Sequence, residues 1–599
     1  MDTTTDVPTL RASAGGESNG IIPVIKLMED TTSYVSQDNK RRGSCAIYIE
    51  TWNREVFAVM DLRLNTGGDS VKRARDIFTG LVINDLFAER VKQNGYWVLF
   101  CKTRTPDLIN LYGKEFTERY VQYEAEYEKY GGKRVKAQTL WKAVVRSMQA
   151  TGTPYTCSKS NMNKSQHTGL FGPGSTVRMS NLCSEIMQYT SSKHTAVCNL
   201  ATIKLDRFIK DPRQLGAAMN VGGFTTVDAY FDFEAFGRVV RVVIRNLNNT
   251  IDLMTYPTEC SRRANLESRP VGLGIQGLAD LFIKLGMPYT SSKALTLDRH
   301  IFEAMYFHAL EESCDMAKKH GPYPRYAQSP AARGVLQFDF YGEAEKVYVQ
   351  GCIGRDRWTK LRSRIAEHGL RNSLLTACPP TASTATIMQS TEAFEPVYNP
   401  CYMRKTIAGV FYVLNRCWWQ FMKRKGLWTK EVRQLLMHDR GSAERLPMTP
   451  EERELFKVAL EMPMKDYIDH AISRSRFIDQ SMSLNLFWVN PTFNKISSAI
   501  FYGMKNGLKT MSYYVRRRPK TETQTWAGIS DARADAIAAA LAAGKTGLDA
   551  AEEAMAAAAE ADATAARDVQ FQLVDPPAPL IPIRNPEHTE DEGCLMCGS

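Results

Sequence analysis

From Ile21 to about Pro519, short apolar runs alternate with amphipathic stretches, and Gly and Pro punctuate the joins. Ala46-Ile47-Tyr48-Ile49 and Trp97-Val98-Leu99-Phe100 are rich in β-formers and short enough to be buried strands. Val82-Ile83-Asn84-Asp85-Leu86-Phe87 and Leu140-Trp141-Lys142-Ala143-Val144-Val145 space their apolar residues three and four apart, which predicts helix faces. Strand-like and helix-like segments intermix throughout, so the pattern predicts an α/β fold. After Trp526 the pattern changes. Residues 531–570 hold 19 alanines among Asp, Glu, Arg and Lys. Alanine's helix propensity predicts helix there, while the missing stripe of bulky apolar side chains predicts loose docking. Pro576, Pro577, Pro579 and Pro582 stiffen the chain beyond it, and the stretch Glu587 to Glu592 is acidic. Residues 527–599 therefore read as a mobile arm.

Composition narrows the class. A hydrophobic fraction of 44% and a charged fraction of 24% exclude a mainly disordered chain of 599 residues. The net charge of +11 is spread along the chain. It suits a phosphorylated substrate but is no concentrated footprint for nucleic acid. No apolar run has the ~18 residues that read as a membrane span. The first residues lack a basic region followed by an apolar core, so no secretory signal is visible and a cytoplasmic protein is expected. Of 13 cysteines, Cys45, Cys101, Cys157, Cys260, Cys314, Cys352, Cys378, Cys401 and Cys417 are scattered singly and read as reduced thiols in or near a core.

Candidate chemistry lies in a few short runs. Gly272-Leu273-Gly274-Ile275-Gln276-Gly277 fits the glycine pattern of dinucleotide loops. The residues before it, Ser261 to Pro270, make no strand, so close backbone packing is the better account. Asn181-Leu182-Cys183-Ser184-Glu185 sets an amide, a thiol and a carboxylate at alternate positions, which share one side of an extended segment. Such a thiol can exchange a hydrogen atom while the carboxylate handles a proton. Cys198 follows 15 residues after Cys183 in the strand-like run Ala196 to Ala201. Pro380-Thr381-Ala382-Ser383-Thr384-Ala385 offers hydroxyls and small residues; it is either a simple helix cap or a place where backbone N–H groups approach a phosphate. Tyr513 and Tyr514 are adjacent in a strand-like run, an arrangement that usually serves packing. Cys594 and Cys597, two residues apart on the arm, suit disulfide exchange; no second cysteine or histidine pair is nearby to complete a zinc site.

Together these runs resemble one family, the large catalytic subunit of class I ribonucleotide reductases of the eukaryotic and viral type. The likeness runs from about Arg11 to Pro519 and resumes at the terminal Cys-Leu-Met-Cys-Gly-Ser. It rests on Ser180 to Ile186, the Cys183-to-Cys198 spacing, Arg371 to Leu375, Pro380 to Ala385, Phe477 to Ser481, and Tyr513-Tyr514. The resemblance implies a ten-stranded α/β barrel with the radical cysteine on a loop tip inside it. It implies that Cys183 forms a transient thiyl that removes the 3′ hydrogen of a ribonucleoside diphosphate. Glu185 would take the 3′-hydroxyl proton, and Ser180, Asn181 and Glu185 would bind substrate. Cys198 would be one member of the reducing dithiol, and Thr381, Ala382, Ser383 and Thr384 would hold the diphosphate. Tyr513 and Tyr514 would relay a radical from a separate small subunit with a metal–tyrosyl centre. Cys594 and Cys597 would re-reduce the active-site disulfide and be reduced in turn by thioredoxin or glutaredoxin. Arg11 and Ser18 resemble the ends of the loop for a dNTP effector, and Gln37, Lys40 and Arg41 belong to a run resembling the loop that relays effector identity. ATP is the family's other effector, and a dimer of large subunits is implied.

Several departures shape the expectation. Both effector loops are shorter than in the family, and Arg42 stands where a proline is usual. The family carries two hundred or more further residues ahead of Arg11, with an ATP-binding domain, the first barrel strand and the other cysteine of the dithiol. No cysteine precedes Cys45 here. The organisation expected is an N-terminal segment with a partial effector loop over 1–20, the barrel over 21–526, an Ala-rich helical linker over 527–570 and a redox tail over 571–599. The barrel is expected to be incomplete at its N-terminus, with a split-gene partner fragment, a truncated sequence or a non-catalytic derivative as the alternatives. The leading reading is a reductase, and the second is an inactive reductase-derived interaction protein. No protein-bound metal and no nucleic-acid or membrane partner is expected.

Overall fold

The computed structural model describes residues 19–35, 43–65, 72–210, 230–406, 409–518, 531–543 and 556. Its strands are β1 (Cys45–Glu50), β2 (Ile77–Ile83), β3 (Tyr96–Leu99), β4 (Lys133–Lys136), β5 (Tyr155–Ser158), β6 (Leu200–Lys204), β7 (Gly272–Gln276), β8 (Cys401–Thr406), β9 (Gly409–Leu414), β10 (Leu486–Trp488), β11 (Thr510–Ser512) and β12 (Val515–Arg517). One compact unit comprises the described residues up to Glu395 with Leu460–Arg518; a second comprises Pro396–Ala459 and the described residues after Pro519.

In the first unit β1, β2 and β5 run parallel and β11 joins β5 antiparallel. β2 buries Ile77, Leu81, Val82 and Ile83, apolar on both faces as a parallel strand covered on both sides must be. This corrects the helix expected over Val82–Phe87. Val82 and Ile83 close β2, Asn84 is still extended, and the helix Asp85–Lys92 begins only after it. A fully buried strand followed at once by a helix mimics helical spacing. The other early expectations hold: Ala46–Ile49 lies in β1, Trp97–Leu99 in β3, and Leu140–Val145 on the helix Ala137–Thr151.

A second run of strands and extended segments continues the wall. β6 and β7 are parallel, in register from Leu200 opposite Gly272 to Lys204 opposite Gln276. The segment 374–378 continues beyond β7, the Leu273 N–H donating to the Leu375 carbonyl at 2.8 Å. The segment 480–484 follows it, the Cys378 N–H donating to the Ser481 carbonyl at 3.0 Å. The Tyr513 N–H then donates to the Leu484 carbonyl at 2.7 Å, joining this run to the chain between β11 and β12. β12 pairs with β10 in parallel. The architecture is α/β of the barrel type expected, but the wall is open: among the described residues no pairing joins β1 to β6. Outside the wall, the helix Ser292–His320 packs on Phe233–Leu253 and Met464–Ser475.

The glycine run 272–277 is itself strand β7 and its turn. A Cβ on Gly274 would stand 2.7 Å from the Ala377 carbonyl oxygen, so close backbone packing is the observed reason for that glycine.

The second unit contains the hairpin β8–β9 and the helices Arg416–Arg424, Lys430–His438, Pro450–Leu455 and Asp531–Ala542. The last is the start of the Ala-rich segment, and its observed packing corrects the loose docking expected. Ala534, Ile537 and Leu541 are buried at spacings of three and four, and the helix contacts Lys430–His438. Two bulky residues on one stripe of small neighbours make a narrow seam that composition alone hides.

Candidate active site

Asn181–Glu185 forms a turn rather than the extended segment expected. Ser184 has φ +64°, a left-handed conformation, and its N–H donates to the Asn181 carbonyl at 3.3 Å. Reversal of the chain, not strand alternation, brings the Asn181 and Glu185 side chains together. The Asn181 Nδ2 donates to Glu185 Oε1 at 2.9 Å and lies 3.9 Å from Cys198 Sγ. One carboxamide thus touches both the carboxylate and the second cysteine.

The turn is held by Ser180 and Ser481 and by three residues that no sequence pattern singled out as part of a site, Tyr48, Ser483 and Thr510. Tyr48 on β1 donates its hydroxyl to the Asn181 carbonyl at 2.8 Å. Its ring has room because Gly80, its partner across β1–β2, has no side chain; a Cβ there would meet the ring at 2.4 Å. Thr510 on β11 donates to the Ser184 carbonyl at 2.6 Å. Ser483 Oγ reaches the Cys183 carbonyl at 2.6 Å and Glu185 Oε2 at 3.2 Å. The Ser481 N–H donates to the Glu185 carbonyl at 2.8 Å. Ser180 Oγ donates to the Ile186 carbonyl at 2.8 Å and closes the base of the turn.

Electrostatics follows from this packing. Burial pushes the Glu185 carboxyl up to about 7, while hydrogen bonds from Asn181, its own backbone and Ser483 pull it down by favouring the charged form. A carboxyl poised near neutrality can both accept and return a proton. Cys183 is half-buried, whereas Cys198 is solvent-accessible. The surrounding low-dielectric protein, then the charge of Glu185, push the Cys198 thiol up, so it keeps its proton at neutral pH. Among the described residues no cysteine is in a disulfide.

Of the other expected residues, the structure describes Thr381–Thr384 and the tyrosines 513 and 514. Thr381 immediately precedes the short helix Ala382–Met388 without a side-chain cap bond to it; Ser383 is exposed and Ala382 and Thr384 are half-buried. Thr381 itself is buried, and its hydroxyl accepts the Ala393 N–H at 2.7 Å. Tyr513 and Tyr514 sit between β11 and β12, not inside a strand, with ring centroids 4.4 Å apart. Tyr155 on β5 joins them at 4.6 and 5.1 Å, making a buried cluster of three phenols. Arg11, Ser18, Gln37, Lys40, Arg41, Cys594 and Cys597 lie outside the described residues.

The turn joins an amide-bound carboxylate to a segment that carries a thiol, and the chain around it matches one family model. Residues 9–514 match the ribonucleotide reductase barrel domain. The chain belongs to this family. It is 44% identical over 514 residues to the ribonucleoside-diphosphate reductase large chain of Encephalitozoon cuniculi, covering 85% of this chain and 62% of that protein. It is 40% identical over 510 residues to the large subunit of Arabidopsis thaliana, covering 84% and 61%. It is 39% identical over 511 residues to that of Variola virus, covering 85% and 62%. The chain therefore spans about three fifths of the length of these reductase relatives. Among the described residues no helix is long and apolar enough to cross a membrane.

Proposed function

We propose that this chain is the catalytic part of a ribonucleoside-diphosphate reductase large subunit. The observation that carries the reading is the Asn181 carboxamide: from the turn that contains Cys183 it binds the Glu185 carboxylate and reaches Cys198, 17 residues further along the chain. In this reading a thiyl at Cys183 removes the 3′ hydrogen of the substrate and later returns it. Glu185 takes the 3′-hydroxyl proton, and Asn181 with Ser180 orients the sugar. The 2′-hydroxyl leaves as water, and two electrons come from a dithiol that includes Cys198 and becomes a disulfide. Thr381, Ala382, Ser383 and Thr384 hold the diphosphate.

The packed tyrosines 513 and 514 support radical delivery from a separate small subunit with a metal–tyrosyl centre, and the terminal Cys594 and Cys597 support re-reduction through thioredoxin or glutaredoxin. A dimer of large subunits, dNTP or ATP effectors at Arg11, Ser18, Gln37, Lys40 and Arg41, and a cytoplasmic location complete the proposal. The test is an assay of this chain together with the N-terminal part of a relative that it does not span, a small subunit, dithiothreitol and a ribonucleoside diphosphate. Deoxyribonucleoside diphosphate is expected to accumulate. No product, from a small subunit that activates another large subunit in the same buffer, overturns the reading.

A further inference from the structure

The glycine run 272–277 cradles another segment of the chain. β7 ends at Gln276, and Gly277, at φ +78°, turns the chain into the helix Leu278–Lys284. The Gly277 N–H donates to the Thr391 carbonyl at 3.0 Å, and Asp280 Oδ2 accepts the Thr391 N–H at 2.6 Å. These bonds hold the chain that leaves the helix Ala382–Met388.

Gln276 is the centre of this cradle. It is 1% exposed. Its carboxamide oxygen accepts from Thr202 Oγ1 at 2.9 Å. Its nitrogen donates to Ser390 Oγ at 3.2 Å and lies 3.5 Å from the Thr384 carbonyl oxygen. A carbonyl can only accept, so the amide has one workable orientation, and the Thr202 hydroxyl is free to rotate and match it. Lys204, two residues along β6 and on the same face as Thr202, donates to the Met388 carbonyl at 2.8 Å. Thr202 and Lys204 lie just after Cys198, so the strand leading from the redox cysteine also supports the floor beneath Thr381–Thr384.

We propose that Gln276 is a positioning residue for the diphosphate: it sets the turn Thr381–Thr384 through Ser390 and Thr384 and does not itself touch substrate. This rests on the reading of Thr381–Thr384 as the diphosphate turn. A short helix with exposed Ser383, Ile387 and Met388 has little burial of its own to fix it, so its placement depends on the polar contacts beneath. Small misplacements of groups that bind a phosphate are costly, because their hydrogen bonds are directional.

The experiment measures dissociation constants by equilibrium dialysis for a ribonucleoside diphosphate and for the matching nucleoside, on the complete protein. Gln276→Leu keeps the bulk and removes the amide; Thr202→Val removes only the hydroxyl that orients it. Gln276→Leu is expected to weaken the diphosphate about tenfold, the loss of one or two hydrogen bonds, and to change nucleoside binding by less than about twofold. Thr202→Val is expected to show the same pattern at a smaller amplitude, and decides the matter if Gln276→Leu does not fold. Equal weakening of both ligands would assign Gln276 a general structural role, and no weakening of either would remove its role altogether; each overturns the proposal. If the parent protein binds nucleoside as tightly as diphosphate, the diphosphate turn itself is misread and the proposal falls with it.

Discussion

The Asn181 side chain donates a 2.9 Å hydrogen bond to the Glu185 carboxylate, and this bond opposes the burial that raises the acid. Burial takes Glu185 from an ordinary 4.5 to about 7, and the bond favours the charged form. A reaction needing the carboxylate as base must rise as pH increases through about 7. Single-turnover reduction is expected to show that acid limb. Asn181→Leu should move the limb to higher pH, and Glu185→Gln should abolish it along with most activity. Stability runs the other way. The folded state binds the Glu185 proton more tightly than the unfolded state, so this favourable contribution is complete below 4.5 and lost as pH rises through about 7. Glu185→Gln should flatten that part of a stability-against-pH curve; an unchanged curve would show that Glu185 does not titrate there.

Cys183→Ser should abolish reduction and leave the fold intact. Serine is nearly isosteric, and the turn is held through the Cys183 carbonyl and its neighbours rather than through sulfur alone. Its O–H bond is too strong for the hydrogen exchange. Residual turnover above a few per cent of the parent rate, a barrier change of only about 2 kcal/mol, would remove Cys183 from the radical role. Circular dichroism and the melting temperature should match the parent.

The two tail cysteines make a different demand. Cys594→Ser with Cys597→Ser should stop steady-state turnover driven by thioredoxin but preserve turnover driven by dithiothreitol. A protein reductant needs the tail as carrier, whereas a small thiol can reach the solvent-accessible Cys198 directly. Equal loss with both reductants would mean that the tail is structural.

The candidate residues stand out in the sequence because Asn181, Cys183 and Glu185 fall within five residues, where type and spacing are visible together. Their geometry does not: an extended segment was the natural reading, and the left-handed Ser184 that bends it carries no sequence mark. Tyr48, Ser483 and Thr510 were invisible for another reason. They are separated from their partners in the turn by 133, 300 and 326 residues, and a lone hydroxyl has no pattern until strands bring it alongside. Val82 and Ile83 show the same limit for the fold, since a short apolar run reads alike as buried strand or helix face until its neighbours are known. The glycines of β7 were legible as close-packing residues, because the strand a dinucleotide loop needs was missing before them.

The docked helix Asp531–Ala542 allows apolar and ionic contributions to be separated. Its seam buries Ile537 and Leu541 beside Ala534, and its rim carries His438 with Asp531 at 2.9 Å and Arg445 with Asp535 at 2.6 Å. Burial of each large side chain is worth about 1.5–3 kcal/mol. Asp531 and Asp535 are 96% and 75% exposed, and such pairs contribute only about 0–1 kcal/mol each. The seam should therefore decide docking. Ile537→Asp is expected to abolish hydrogen-exchange protection over 531–542, because it places a charge where the helix meets Lys430–His438. Asp531→Asn with Asp535→Asn should lower that protection by tenfold or less, about 1.4 kcal/mol. High salt should reproduce the small loss and not the large one, since screening weakens exposed ion pairs and leaves apolar burial in place. Loss of protection in the double Asn variant equal to that in Ile537→Asp would show that the ion pairs, not the seam, hold this helix.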